Sequence, residues 1–240
     1  MTNLPHHTPD EHPVSGRWPA SDPSKLQYYG FPTPNGIKVS IMLEEIGLPY
    51  EVHRVTLSDA DVKSPEFLSL NPNNKIPAII DPNGPDGQPI ALFESGAILM
   101  YLAEKTGKFY GSSDRERHII NQWLMWQMGG VGPMFGQLGY FVHGPGKDVE
   151  DTHARTRYAN ETKRLLGVLE KHLEGREWMI GDYSIADIAI GSWVRQIERY
   201  GEDAEVAVDW LEFDNVHDYL DRFLERPAVQ RGANIPSRDG

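Results

Sequence analysis

A short proline-containing run constrains the fold of this chain more than any other feature. Residues 73–80 read NNKIPAII, and residues 93–98 read FESGAI. An isoleucine–proline pair at the entry of an apolar run is typical of a turn into a strand, where a cis peptide bond would be a fixed feature. We therefore predict a strand that begins after Pro77 and a helix capped by Ser95.

These two runs also predict a binding edge for an extended peptide. The N–H and C=O groups of Ile76 would stay outside the sheet and could pair with a ligand backbone as an added antiparallel strand. Ser95 offers a hydroxyl and helix-initiating N–H groups to a carboxylate, and Glu94 offers a carboxylate to an ammonium. A carboxylate and an ammonium side by side on an extended peptide describe the γ-glutamyl end of glutathione.

Composition excludes two classes of partner. The chain has 240 residues and a formal net charge of -12, whereas nucleic-acid-binding proteins carry a clustered excess of Lys and Arg. No apolar run reaches the ~20 residues that span a bilayer, and the N-terminus lacks a charged start followed by an apolar core. We expect a cytoplasmic protein that binds neither nucleic acid nor membrane.

The chain contains no cysteine. Disulfide bonds, thiolate metal sites and a protein thiol nucleophile are therefore excluded, and we predict no metal cofactor. If the protein acts on thiols or disulfides, every sulfur must arrive on a substrate, so a covalent glutathionyl–enzyme intermediate is impossible.

Residues 26–105 alternate between strand and helix patterns. Their order, strand–helix–strand–helix–strand–strand–helix, is that of a thioredoxin-like α/β domain. The predicted strands are residues 26–30, 50–56, 78–80 and 90–93, and the predicted helices are residues 35–46, 65–70 and 96–105.

The second half of the chain shows helical spacing. Gly129, Gly130, Gly132 and Pro133 interrupt this pattern and predict a kink or a break. The run SIAD at residues 184–187 is a capping box with a structural role. The predicted helices are residues 115–127, 151–173, 184–199 and 215–226.

Three segments follow from these patterns. Residues 1–24 are rich in proline and lack periodicity, which predicts an extended or disordered arm lying on a surface. His6, His7 and His12 within it receive no metal-binding role. We expect a thioredoxin-like domain at residues 25–108 and an all-helical domain at residues 114–240.

The order and spacing of the motifs resemble the glutathione transferase family. The run TPNG at 33–36, the Ile76–Pro77 pair, the run ESG at 94–96, residues 123–137 and Arg157 are similar to the bacterial Nu class, the disulfide-bond oxidoreductase type related to the yeast nitrogen-regulator prion protein. The resemblance covers roughly residues 26–231. It implies a thioredoxin-like N-terminal domain, an all-α C-terminal domain and a homodimer.

The turn into the first predicted helix is the candidate catalytic element. Free N–H groups and the positive dipole end of a helix stabilise a thiolate, and the Thr33 hydroxyl and Asn35 amide can donate to its sulfur. In a purely structural alternative, Asn35 is the N-cap and Thr33 a turn residue. Tyr28 and Tyr29 lie too early for the thiol-activating hydroxyl of other transferase classes, so we interpret them as core or interface residues.

The resemblance extends the site beyond this turn. We expect Arg157, and Lys75 if it is not merely solvated, to reach glutathione carboxylates. The predicted glutathione-binding residues are Lys75, Ile76, Pro77, Glu94, Ser95 and Arg157. A second-substrate pocket, for which core packing is an equal alternative at each position, is predicted at Met134, Phe135, Tyr140 and Tyr200.

Three functions are compatible with these residues. The first is a glutathione:disulfide oxidoreductase that holds two glutathiones, or one glutathione disulfide, noncovalently. The second is thioether chemistry, in which glutathione is conjugated to an electrophile or removed from an aromatic thioether. The third is a non-catalytic transferase-like binding module, which is disfavoured because the binding motifs are all present and no Asn/Gln-rich tail is seen.

Overall fold

A computed structural model describes residues 7–238 and divides the chain into two compact units. Among the described residues, one unit contains residues 7–106 and 228–238, and the other is Gly107–Pro227. His6 lies outside the described residues. None of the helices in the described part of the chain is long and apolar enough to cross a membrane.

The first unit is built on a four-stranded mixed sheet. Strand β1 pairs in parallel with β2 and antiparallel with β3, and β3 pairs antiparallel with β4, which gives the order β2-β1-β3-β4. The strands are β1 (Leu26–Gly30), β2 (Tyr50–Arg54), β3 (Ala78–Asp81) and β4 (Ile90–Phe93). This sheet confirms the predicted thioredoxin-like class.

Helices cover this sheet, and two of them carry the candidate site. Helix α1 packs against both β1 and α4. The helices are α1 (Pro34–Ile46), α2 (Asp59–Val62), α3 (Pro65–Leu70) and α4 (Ser95–Thr106), and α12 (Pro227–Gly232) is the last helix in the described part of the chain. The sequence predicted α1, α3 and α4 within a residue at each end, and α2 was not predicted.

The N-terminal segment is integrated into the first unit. Pro13–Gly16 forms a 3-10 turn, and Val14 is fully buried in a cluster with Tyr29 and Phe67. The Trp18 ring lies edge-on to Phe67 at 6.1 Å, and its indole N–H donates to the carbonyl of Arg54 at 3.1 Å. The predicted arm therefore contributes side chains to the core. The sequence does not show this because the prolines interrupt any helical or strand periodicity.

The second unit is helical throughout. Its helices are α5 (Asp114–Trp126), α6 (Gly132–Val142), α7 (Thr152–Leu173), α8 (Ile185–Val194), α9 (Gln196–Tyr200), α10 (Glu202–Ala207) and α11 (Asp214–Glu225). Between α5 and α6, where the sequence predicts a kink or a break, the chain stays helical and forms a π-helical turn at Gln127–Val131. Pro133 stands at the start of α6, where a missing N–H is tolerated.

The predicted capping box is present at the start of α8. The Asp187 carboxylate accepts hydrogen bonds from the backbone N–H groups of Ser184 and Met179, both at 2.9 Å. Burial raises the pKa of Asp187 to about 6, and the hydrogen bonds from Met179 and Ser184 oppose that rise. Because Asp187 is fully buried, it serves folding of this unit.

Candidate functional site

Thr33 is the N-cap of α1. Its Oγ accepts a hydrogen bond from the backbone N–H of Gly36 at 3.2 Å, and Pro34 opens the helix. Asn35 lies inside the first turn, so the alternative in which Asn35 is the cap is wrong. The Thr33 hydroxyl uses a lone pair in this bond, and its own hydrogen points away from Gly36. The same hydroxyl can therefore cap the helix and donate to a ligand.

The backbone is packed tightly behind this turn. A side-chain carbon at Gly36 would lie 1.9 Å from the carbonyl oxygen of Phe31, so only glycine fits there. The Tyr28 hydroxyl donates to the carbonyl of Gly36 at 2.9 Å. Burial raises the pKa of Tyr28, which keeps it neutral. Tyr28 thus holds the turn from beneath and does not ionise to activate a thiol.

Tyr29 points to a different part of the core. It is fully buried and stacks on the His53 ring with the centroids 4.5 Å apart. The interpretation of Tyr28 and Tyr29 as core residues is confirmed by their complete burial.

The segment before β3 presents an open backbone edge. The Ile76–Pro77 peptide bond is cis, and the side-chain amide of Asn71 donates to the carbonyl of Lys75 at 2.5 Å. Within residues 7–238, no hydrogen bond engages the backbone N–H or C=O of Ile76. The Ile76 side chain is buried, whereas Lys75 is exposed. This is the geometry that an added ligand strand requires.

The start of α4 differs in detail from its prediction. Ser95 is the first residue of the helix, and the preceding residue Glu94 has a left-handed backbone with φ of 70°. The carbonyl of Glu94 accepts the N–H of Ile98 at 3.0 Å, so Glu94 occupies the cap position predicted for Ser95. Glu94 is exposed and Ser95 is 2% exposed.

Lys38 was not identified from the sequence. Its side chain is fully buried, and its ammonium donates to the Ser95 Oγ at 3.3 Å. Burial lowers the pKa of Lys38 to about 7, and the nearby Glu94 carboxylate opposes that change. Lys38 is the fifth residue of α1, so this contact joins the second turn of α1 to the first residue of α4.

A cavity of about 680 Å³ opens on the second unit between α6 and α7. Its lining residues are Met134, His153, Thr156, Arg157, Tyr158, Asn160, Glu161 and Arg164. Arg164 is held by two hydrogen bonds to Glu161, at 2.7 and 2.8 Å. In the described part of the chain, the Arg157 guanidinium makes no hydrogen bond. Arg157 attracts the Glu161 carboxylate, which also binds Arg164.

The four residues predicted for the second-substrate pocket separate in the structure. Met134 lines the cavity, but Phe135 is fully buried and belongs to the core. Tyr140 is 46% exposed and does not line this cavity. Tyr200 packs against Gly139, where a side-chain carbon would lie 2.3 Å from the ring, and burial raises its pKa to about 12. Helical spacing alone could not distinguish Met134 from its neighbour Phe135.

Comparison with known proteins decides the family. Family models for the glutathione S-transferase N-terminal and C-terminal domains match residues 24–104 and 135–227. Disulfide-bond oxidoreductase YfcG of Escherichia coli is 45% identical over 85% of this chain and 92% of its own length. The chain belongs to the glutathione S-transferase family. The predicted resemblance is therefore confirmed.

Two solved transferases are similar along almost the entire chain. A glutathione transferase from Pseudomonas putida, with one glutathione disulfide bound per subunit, has a TM-score of 0.91 and 59% identity, covering 94% of this chain and 97% of its own. A transferase from Burkholderia graminis, with two glutathione molecules bound per subunit, has a TM-score of 0.91 and 58% identity, covering 95% of each chain.

Proposed function

We propose that this glutathione S-transferase reduces organic disulfides, with two glutathiones or one glutathione disulfide held noncovalently. The observation that carries the proposal is a helix start capped by the Thr33 hydroxyl in a chain without cysteine, since a helix N-terminus stabilises a thiolate. Every sulfur in the reaction is then substrate-borne. The name of YfcG and the glutathione disulfide in the P. putida transferase support the same reaction.

The overall reaction converts one disulfide and two glutathiones into two thiols and glutathione disulfide. The thiolate of the first glutathione attacks one substrate sulfur, and the other substrate sulfur leaves with the bonding electrons and takes a proton. The second glutathione thiolate attacks the glutathione sulfur of the mixed disulfide and releases the second thiol. Each step needs a thiolate at neutral pH, and helix N-termini lower the pKa of a thiol.

Thr33 and Asn35 supply polar donors for that thiolate. The Thr33 hydroxyl has its hydrogen directed away from Gly36, and Asn35 adds an amide in the same turn. These donors stand at the N-terminal end of α1, which carries the positive end of the helix dipole. This cradle stabilises negative charge on sulfur without a titrating residue.

The remaining predicted residues hold the tripeptides. The backbone of Ile76 beside Pro77 pairs with the ligand main chain, Ser95 binds the γ-glutamyl carboxylate, and the Glu94 carboxylate binds the γ-glutamyl ammonium. Lys75 and Arg157 bind further carboxylates, for which Arg157 has suitable fork geometry. Met134 borders the same cavity as Arg157 and offers apolar surface to a small organic second substrate.

We also propose that the protein is a cytoplasmic homodimer. Strand β4 ends the sheet on one side, and Phe93 on it is 37% exposed, as Leu68 on α3 is at 36%. An exposed edge strand with apolar side chains is a surface that natural proteins normally cover. Light scattering coupled to size exclusion gives the mass of the particle, and a single-chain mass overturns the dimer.

A turnover assay tests the reaction. Bis(2-hydroxyethyl) disulfide and glutathione are supplied together, and glutathione disulfide is measured through glutathione reductase and NADPH consumption. We expect turnover well above the uncatalysed rate. Conjugation of glutathione to 1-chloro-2,4-dinitrobenzene, measured in parallel, separates the thioether alternative. Conjugation without disulfide turnover supports that alternative, and no turnover with either substrate supports the binding module.

A further inference from the structure

Lys38 is a buried cation beneath the predicted γ-glutamyl site. Its neighbours on α1 are buried as well: Val39 and Ile41 are fully buried, and Ile37 is 2% exposed. A lysine is rarely buried completely, because transfer of its charge from water is costly unless a partner compensates. One partner is the Oγ of Ser95, the first residue of α4, at 3.3 Å.

The direction of this hydrogen bond determines what Ser95 can do. An ammonium carries only donors, so Ser95 Oγ is the acceptor and its own hydrogen points away from Lys38. A hydroxyl that already accepts from a cation is a stronger donor to an anion, because hydrogen bonds in a chain polarise one another. The Lys38 charge also adds to the positive end of the α4 dipole.

We propose that Lys38 is a positioning residue that orients the Ser95 hydroxyl and supplies the positive charge that makes the start of α4 selective for the γ-glutamyl carboxylate. This inference rests on the proposed function, since it assigns that carboxylate to Ser95. Lys38 acts through Ser95 and from below the site, and the ligand meets the Ser95 hydroxyl.

The proposal carries a dependence on pH. Burial lowers the pKa of Lys38 to about 7. Lys38 is therefore protonated well below that pH and loses its proton as pH rises through it. The acidic group that faces Lys38 is Glu94, which precedes α4. From β1, Tyr28 stays neutral because burial raises its pKa, and from α12, Arg231 is paired with Glu44 at the far end of α1. Binding of the γ-glutamyl carboxylate weakens as Lys38 loses its proton.

The first test is calorimetric binding of S-methylglutathione, whose blocked thiol does not titrate. The substitution Lys38→Met keeps a long unbranched side chain and removes its charge. We expect a Kd at pH 6.5 at least tenfold higher than for the unsubstituted protein, and a flatter dependence of Kd on pH from 6 to 8. The matched control is Lys63→Met, at an exposed lysine that directly follows α2, and it leaves both the Kd and its pH dependence unchanged. An unchanged Kd and pH profile in Lys38→Met overturns the proposal.

A second ligand separates positioning from a general loss of structure. In an analogue with the γ-glutamyl α-carboxylate converted to an amide, the charge that Lys38 serves is gone. Lys38→Met and the unsubstituted protein then bind this analogue with the same Kd at pH 6.5. A tenfold loss with the amide as well indicates a merely structural lysine and overturns the proposal.

Two further outcomes keep the inference distinct from the proposed function. If Lys38→Met does not fold, the pH profile of the unsubstituted protein decides: Kd for S-methylglutathione rises from pH 6 to 8, and a constant Kd overturns the inference alone. If the unsubstituted protein does not bind S-methylglutathione at any of these pH values, the proposed function itself fails.

Discussion

The hydroxyl of Thr33 accepts the backbone N–H of Gly36 at 3.2 Å and thereby ends the turn that leads from β1 into α1. The same hydroxyl is the donor that the proposed reaction directs at sulfur. Capping and the proposed catalytic role thus fall on one oxygen atom. They can be separated by experiment because the cap uses a lone pair of the hydroxyl, whereas the proposed role uses its hydrogen.

Substitutions at Thr33 distinguish these two roles. Thr33→Ser keeps both and retains activity close to that of the unsubstituted protein. Thr33→Asp keeps a capping acceptor but lacks the donor and places a negative charge near the thiolate, so we expect stable protein with disulfide turnover reduced about a hundredfold, the effect of losing one such donor. Thr33→Ala loses the donor and about 1 kcal/mol of stability. Full turnover by Thr33→Asp contradicts the role assigned to the hydroxyl.

Arg157 is expected to affect binding more than chemistry. Removing its charge in Arg157→Gln raises KM for glutathione about tenfold with a smaller change in kcat, because a hydrogen bond to a charged group contributes about 1.5–3 kcal/mol. Steady-state kinetics with glutathione as the varied substrate measure both constants. The control is Arg199→Gln, an exposed arginine on α9 that does not line the cavity. Equal effects of the two substitutions remove Arg157 from the site.

Gly36 is a steric test of the turn. In Gly36→Ala the new methyl group meets the Phe31 carbonyl at 1.9 Å, so the backbone must shift, and we expect a loss of at least about 3 kcal/mol in unfolding free energy or insoluble protein. Gly167, exposed within α7 with open space at its Cα, provides the comparison. Gly167→Ala raises stability by about 0.5–1 kcal/mol through helix propensity. Denaturant titration of both variants gives the difference.

Val14 tests whether the N-terminal segment belongs to the core. Because it is fully buried against Tyr29 and Phe67, Val14→Ala should lower the free energy of unfolding by about 2 kcal/mol. Val206 is 69% exposed, and Val206→Ala should change it by less than about 0.5 kcal/mol. A neutral Val14→Ala would show that residues 13–16 do not pack as described.

His53 is expected to make stability depend on pH. Burial lowers its pKa below 6.5, although Glu51 opposes this, so the folded state prefers neutral histidine. The contribution is complete above pH 6.5 and is lost as pH falls through the lowered value. We expect the unfolding free energy to fall less steeply from pH 7 to pH 5 in His53→Phe, which keeps a ring on Tyr29. Burial also lowers the pKa of His12, and this residue accounts for part of the remaining slope. Parallel slopes for both proteins would contradict this.

Features with a local cause were predictable from the sequence. The capping box at Ser184 and Asp187 was predicted because its hydrogen bonds join residues three apart, and α1 was located by its apolar spacing. The mixed sheet followed from the order of its elements. These patterns constrain the backbone over a few residues, so neighbouring letters are sufficient to recognise them.

Features that depend on tertiary packing were not predictable from the sequence. A lysine in a helix is normally solvated, so the sequence gives no sign that Lys38 is buried. Its burial follows from the packing of α4 on α1. Val14 is one apolar residue among prolines, with no period to reveal its burial. Glu94 adopts a left-handed backbone before α4, which is uncommon for a residue other than glycine and which no local sequence motif predicts. The glycines and the proline near residues 129–133 predict a kink or a break, but a π-helical turn at Gln127–Val131 keeps this segment helical.

The central claim is that both reacting glutathiones are held noncovalently by a chain without cysteine. Native mass spectrometry during turnover of bis(2-hydroxyethyl) disulfide counts the glutathionyl units on each chain. We predict two, as a pair of glutathiones or as one glutathione disulfide, all of them released when the same sample is denatured. A protein that carries one glutathione throughout turnover, or that keeps a glutathionyl unit after denaturation, contradicts the account.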